Sequence, residues 1–244
     1  MTGKKRGKVR STKTKGPAGS NLLVIRSASE ASRGEFVYQS LLEAIRHGRL
    51  RQGERIREDE ISDLLKVSRT PVREALHKME IRGLLNFAAG GRLFVATLSR
   101  EKIVELYAIR ELLEGGAARF AAQYASSHEI DTLRHVVRAL EEIGDDFVTG
   151  DRLNKKFHQT IHAAARNIYL AAALNDTSDI MSLLQTGTLP DRCVTSLVEH
   201  RRIVEAIEAR APDEAELAAR HHVREAFQAQ SRLWTISGVA AAGA

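Results

Sequence analysis

The sequence predicts a mostly α chain in two folded parts: three short helices closed by a small β-hairpin, then an all-helical bundle of about six helices. Three observations carry this. Between Glu35 and Val95, three short amphipathic stretches run into two apolar segments that flank Gly90-Gly91. Beyond Ser99, Ala, Leu, Glu and Arg dominate, and only Pro190 and Pro212 interrupt them. At 244 residues the chain also has room for two cores of ordinary size, since domains cluster near ~100 to 150 residues. The division expected is a disordered basic arm over 1–31, a first domain over 32–98, a helical domain over 99–236 and a flexible tail over 237–244.

Charge separates the arm from the rest. The formal net charge is +6, yet Lys4, Lys5, Arg6, Lys8, Arg10, Lys13, Lys15 and Arg26 stand in the first 26 residues without one acid, and 37 basic residues less those eight leave 29 against 31 acidic ones. The folded part is therefore close to neutral. Rich in Gly, Ser, Thr and Lys, the arm has little to bury, so ordering it would cost entropy that no core offsets. It would add sequence-independent attraction to phosphates; the plainer alternative is a solubilising extension. Cys193 is the only cysteine, which rules out an intrachain disulfide and a thiolate zinc cluster and fits a reducing, cytoplasmic setting. No apolar run approaches the ~20 residues that a membrane span needs.

The first helix is expected from about Glu35, where Val37, Leu41, Leu42 and Ile45 form one stripe before Gly48 and Gly53 break it. A second, short helix turns Ile61, Leu64 and Leu65 inward, with Glu58, Asp59, Glu60 and Asp63 in its first turns and on its exposed face, and stops near Lys66-Val67. The third begins in Ser68-Arg69-Thr70-Pro71, where Ser68 or Thr70 can cap and Pro71, lacking an N–H, fits the first turn. Val72, Ala75, Leu76 and Met79 repeat at helical spacing and bury against the first two helices, which leaves Arg69 and Arg73 near the N-terminal end of the opposite face. Arginine suits a helix that reads DNA, because its planar fork pairs bidentately with guanine O6 and N7. Leu84-Leu85-Asn86-Phe87 and Arg92-Leu93-Phe94-Val95 around Ala88-Ala89-Gly90-Gly91 then read as two short strands and a tight turn. Three short helices followed by such a hairpin make a winged helix-turn-helix.

The stretches Gly48-Arg49-Leu50-Arg51-Gln52-Gly53-Glu54-Arg55-Ile56, Val67 to Leu76 and Gly83-Leu84-Leu85 closely resemble the N-terminal domain of GntR-family transcription regulators. The resemblance covers nearly the whole domain. It implies that Arg69, Thr70 and Arg73 contact operator DNA and that Gly91 and Arg92 lie at the wing tip near the minor groove. Some members carry a basic residue where this chain has Asp59, so that contact is absent or made differently here.

In the second half, helical periodicity is expected near 101–125, 128–148, 151–165, 168–186, 192–210 and 213–235, with breaks such as Gly150 and Ala211-Pro212. No repeat of fixed period appears, so a bundle is expected rather than a solenoid. Its histidines are the chemically telling residues, since neutral imidazole binds zinc, nickel and related metals. Asn154 and His158 lie four apart on one helix, about 6 Å along the axis and roughly 40° around it, and His162 extends the row. His200 falls on the fifth helix of this half and His221-His222 on the sixth, so three helices can aim imidazoles at one interior. The alternative for each is an exposed or core-satisfied ring.

Arg110 with Leu113-Glu114, Phe157-His158, Glu199-His200 before Ile203, and His222 together resemble the FadR-type subgroup, whose C-terminal, FCD-type domain senses ligands. In many of its members an Asp or Asn and three histidines bind a divalent metal, and the resemblance carries that role to Asn154, His158, His200 and His222, with zinc or nickel expected and His162 and His221 as substitutes. An amide oxygen is a weaker ligand than a carboxylate, so Asn154 would leave the site leaning on its imidazoles. The resemblance further implies a small organic acid as effector, bound partly by Arg110; the alternative for Arg110 is an ion pair with Glu111 or Glu114.

These readings combine into a homodimeric regulator that binds double-stranded operator DNA and is modulated by an organic acid. Two-fold symmetry lets paired recognition helices reach both half-sites. One rival is a metal-dependent hydrolase using the histidines, but the chain has no His-Glu-x-x-His, phosphate loop or nucleophile elbow. The other is a nonspecific architectural DNA-binding protein acting through the arm, which leaves the helical half without a purpose.

Overall fold

The computed structural model describes residues 33–143, 146–184 and 190–236, without the side chains of 147, 190–195 and 233–236; the arm and the tail expected at either end lie outside the described residues. Helix α1 (Arg33–Arg46) buries Val37, Leu41, Leu42 and Ile45 together with Tyr38 and Ala44. Helix α2 (Glu58–Leu65) buries Ile61 and Leu65, Leu64 being only half-buried. It ends on Lys66, whose φ of 56° is left-handed. Helix α3 (Arg69–Ile81) follows with Val72, Ala75, Leu76 and Met79 inward and Pro71 in its first turn. Ser68 is its N-cap residue, although its side chain makes no capping bond.

The wing is a three-stranded antiparallel sheet, one strand more than the pattern of residues predicted. Strands β2 (Leu85–Ala88) and β3 (Arg92–Val95) form the hairpin, and a two-residue strand β1 (Arg55–Ile56) adds to the other side of β3. Leu85 pairs with Val95 and Ala88 with Arg92, so three residues make the loop. Gly90 and Gly91 there take φ of 81° and 69°, a region that a Cβ disfavours.

Among the described residues the second half contains six helices, as expected: α4 (Arg100–Tyr124), α5 (Ser127–Glu142), α6 (Phe147–Ala164), α7 (Ile168–Met181), α8 (Pro190–Glu208) and α9 (Pro212–Ile236). One predicted break is displaced. Gly150 does not separate helices; it lies inside α6, because Asp146 caps that helix four residues earlier by accepting a hydrogen bond from the Thr149 amide at 3.1 Å. A glycine inside a helix costs about 1 kcal/mol relative to alanine, and a good cap is worth as much. Helix α7 likewise ends at Met181 and continues as a 3-10 turn, Ser182–Leu184.

Two large apolar clusters organise the described residues, and a small third one joins Ile103 and Tyr107 of α4 to Val223 of α9. Ala117, Ala118, Ala121 and Ala122 of α4 are fully buried against Phe157, Ile161, Ile203 and Ile207 of α6 and α8; such small side chains bring the helices close, and this packing sets the positions of the histidines. The other large cluster fills the winged helix, and it contains one distant residue, Leu183 from the 3-10 turn, with no exposed surface. Around Leu183 the two halves are tied. Gln52 donates to the Leu183 carbonyl at 2.8 Å, Arg46 donates to the Ser182 hydroxyl at 3.2 Å, and Asp179 accepts from both Tyr38 and Arg82.

Candidate functional site

On the winged helix, the residues expected to meet DNA are all exposed, and Arg73, Gly91 and Arg92 among them line one cleft. Arg69, Thr70 and Arg73 at the start of α3 are exposed, as are Gly91 and Arg92 at the wing tip. Between them runs a cleft of about 480 Å³ whose lining includes Arg55, Arg57, Arg73, His77 and Arg92. Acids share it. The Arg73 Nε lies 2.9 and 3.0 Å from the two carboxylate oxygens of Glu58 on α2, and Arg57 pairs with Asp59 at 3.3 Å and with Glu60 at 3.1 Å. Glu58 was not singled out from sequence. Its position at the head of α2 was legible, but its reach to α3 was not.

In the bundle, His158 on α6, His200 on α8 and His222 on α9 come together, each offering a ring nitrogen within 4.8 Å of the others. Their ring centroids lie 4.7 to 5.7 Å apart, and Phe157 stacks on His200 at 4.1 Å, which limits how that ring can turn. Two carboxylates orient the outer rings. Glu199 Oε2 lies 2.7 Å from His222 Nδ1, and Glu114 Oε2 lies 3.3 Å from His158 Nδ1. These contacts turn each Nε2 the other way, and the His158 Nε2 is buried without a hydrogen-bond partner. Carboxylate on one ring nitrogen and metal on the other is the usual arrangement of a histidine ligand. The donor set and the orphaned nitrogen therefore fit a divalent ion.

The remaining predicted residues divide. Asn154 lies one turn before His158, half-buried. His162 is buried and turned to Glu114, its Nε2 3.0 Å from Oε2, so it forms a second possible ligand group with Glu114 and His158. His221 is exposed while its neighbour His222 is buried: adjacent positions on a helix point ~100° apart, which removes His221 as a substitute. Arg110 adopts the ion-paired alternative, 3.5 Å from Glu114 Oε1. Burial opposes ionisation of Glu114, but the charges of His158 and His162 and their hydrogen bonds outweigh it and hold the carboxyl well below the usual carboxylate range. The roles of Glu114 and Glu199 were missed in sequence; the signal available was their place beside Arg110 and His200 in the matching pattern.

No helix among the described residues is long and apolar enough to cross a membrane. Residues 33–95 match the family described as bacterial regulatory proteins, gntR family, and residues 105–225 match the FCD domain. A probable D-xylose utilization operon transcriptional repressor of Paenarthrobacter nicotinovorans is 35% identical over 185 residues, 73% of this chain and 80% of that protein. The Nta operon transcriptional regulator of Aminobacter aminovorans is 31% identical over 179 residues, 72% of this chain and 84% of that protein. Among solved structures, E. coli McbR/YncC superposes with a TM-score of 0.74 at 18% identity, over 84% of this chain and 99% of that one, a likeness of fold. The relatives are transcription regulators, so the hydrolase reading of the histidines gives way. Its winged helix, its helical bundle and both sets of matches place this chain in the GntR family of bacterial transcription regulators, among those whose second domain is an FCD domain.

Proposed function

We propose that this regulator acts in the cytoplasm as a homodimer, reads operator DNA through Arg69, Thr70, Arg73, Gly91 and Arg92, and is modulated by a small organic acid bound with a divalent metal, zinc or nickel. The observation that carries the metal is the orphaned, buried Nε2 of His158 facing His200 and His222. A buried polar atom without a partner costs about 1–3 kcal/mol, and a cation between the three rings removes that cost. Bound there, a divalent ion supplies positive charge and open positions for a carboxylate oxygen. Asn154 is the fourth residue assigned to the set, an amide donor where a carboxylate would bind more tightly. Arg110 is the nearby cation for the rest of the acid, with Glu114 holding its Nε and the guanidinium fork able to offer its other donors. Effector binding changes DNA affinity only through a difference in its affinity for the competing arrangements of the heads.

The test is metal content and DNA binding of the purified full chain. Elemental analysis is expected to find roughly one zinc or nickel per chain, the load of a single three-histidine site, and His158→Ala with His200→Ala is expected to lose it and blunt the response to organic acids. The winged helix should stay folded and keep its preference for the DNA upstream of its own gene over random DNA at fixed salt. Full metal content in the double variant overturns the site. D-xylose belongs in the effector panel beside the acids, given the name of one relative.

A further inference from the structure

Two neighbouring leucines belong to two different cores. Successive side chains of a 3-10 turn point about 120° apart. In Ser182–Leu184 that spacing sends Leu183 into the core of the winged helix, with no exposed surface, and Leu184 against the small cluster of Ile103, Tyr107 and Val223 in the bundle. Leu98, in the segment before α4, packs against both of these clusters. The halves thus meet at two points of the chain, and one side chain spans them. The Gln52 amide accepts from the Leu98 N–H at 3.0 Å and donates to the Leu183 carbonyl at 2.8 Å.

The bundle side of this contact adjoins the residues assigned to the ligands. The Arg110 guanidinium lies 5.9 Å from the centroid of the Tyr107 ring, Tyr107 packs on Phe227 at 5.2 Å, and Val223 follows His222 on α9. A change at either ligand group therefore bears on the cluster that holds Leu184. Close-packed interiors answer such a push by shifting between discrete arrangements rather than by yielding smoothly. Leu183 cannot slip within the winged helix without opening a void, and its Cα is fixed ~3.8 Å from that of Leu184. A displacement of one leucine is passed to the other.

We infer that Gln52, Leu183 and Leu184 form a regulatory joint, through which occupancy of the histidine site sets the seating of the winged helix on the bundle. Polar ties hold the halves together as well: Asp179 accepts from Tyr38 and Arg82, and Lys155 of α6 lies 3.4 Å from Glu43 of α1. The joint differs from these ties in ending inside a core on both sides.

The joint rests on the metal-bound sensor proposed above, and zinc is the probe. Operator Kd is read by fluorescence anisotropy on the full chain, zinc-loaded and chelator-stripped, at one salt concentration. The parent is expected to differ by about fivefold or more between the two states, the lower end of the usual coupling between sites. Gln52→Ala, at an exposed position, and Leu184→Ala are each expected to shrink that ratio by about twofold or more, while taking up as much zinc as the parent and keeping their helices by circular dichroism. Hydrogen exchange supplies a second readout: zinc should change the exchange of α1 amides in the parent and leave them unchanged in the variants. A parent that responds to zinc, with both variants responding as fully, overturns the joint and leaves the sensor standing, coupled through Lys155 or Asp179 instead. A parent that takes up no zinc, or whose operator affinity and α1 exchange are the same loaded and stripped, overturns the sensor reading and the joint alike. Should Leu184→Ala fail to fold, Gln52→Ala decides.

Discussion

Arg73, which we propose reads DNA, is already engaged without it: it spans from α3 to Glu58 at 2.9 Å. On that proposal, phosphates and base edges compete with a carboxylate for it. Arg73→Ala is expected to cost about 1–3 kcal/mol of operator affinity and little affinity for random duplex, read by fluorescence anisotropy on both DNAs at one salt concentration. Glu58→Gln should do the reverse, tightening binding to any duplex and steepening its salt dependence, because an acid leaves the cleft and a cation is released to phosphate. A second pair speaks to pH. Hydrogen bonds from Gln39 and Lys78 to Glu35, helped by the Lys78 charge, hold its carboxyl below the usual range. A carboxyl depressed in the folded state contributes stability above its unfolded value and loses it as pH falls through the folded one. Glu35→Gln should flatten the fall in stability from neutral pH toward roughly pH 3 to 4, by no more than ~1 kcal/mol because both side chains are more than a third exposed. Denaturant melts across that window measure it.

At the scale of elements, the helix starts are built by short side chains. Ser126 and Glu129 form a reciprocal capping box at α5, the serine hydroxyl accepting from the Glu129 amide and the glutamate accepting from the Ser126 amide at 2.8 Å. Ser126→Ala is expected to lower stability by about 1 kcal/mol, visible as a shift in a thermal melt. Equally local chemistry explains which boundaries could be read from sequence. Pro71 and Pro212 marked two starts because a proline, lacking an N–H, fits the first turn of a helix and not its interior. Gly150 misled, since its weak local preference is overridden by the Asp146 cap and by the packing of α6 as a whole. Strand β1 was not legible at all. Two residues carry no alternation, and it exists only because Arg55 and Ile56 find Phe94 and Leu93 across the wing.

In the whole molecule, the convergence of His158, His200 and His222 could be anticipated from their places in a family pattern, while which ring each carboxylate aims could not. Glu114 reaches His158 across 44 positions of chain, and periodicity within one helix says nothing of such a meeting. The same holds for Leu183, an ordinary leucine in sequence that is fully buried in the core of the winged helix. Leu183→Ala is expected to cost about 2–5 kcal/mol, and denaturant unfolding followed by probes in each half should show the winged helix losing stability with it. Wild-type protein should lose both halves together.

The docking of Leu183 bears on how such a protein can be recombined. A chimera cut in the linker before α4, giving this DNA head to another sensor, would leave a cavity where Leu183 sits, and Asp179 would be missing from beside Tyr38 and Arg82. The working unit of exchange is the head together with the last turns of α7. Lineages that shuffle these parts must carry that distant turn along or re-evolve a plug for the hole.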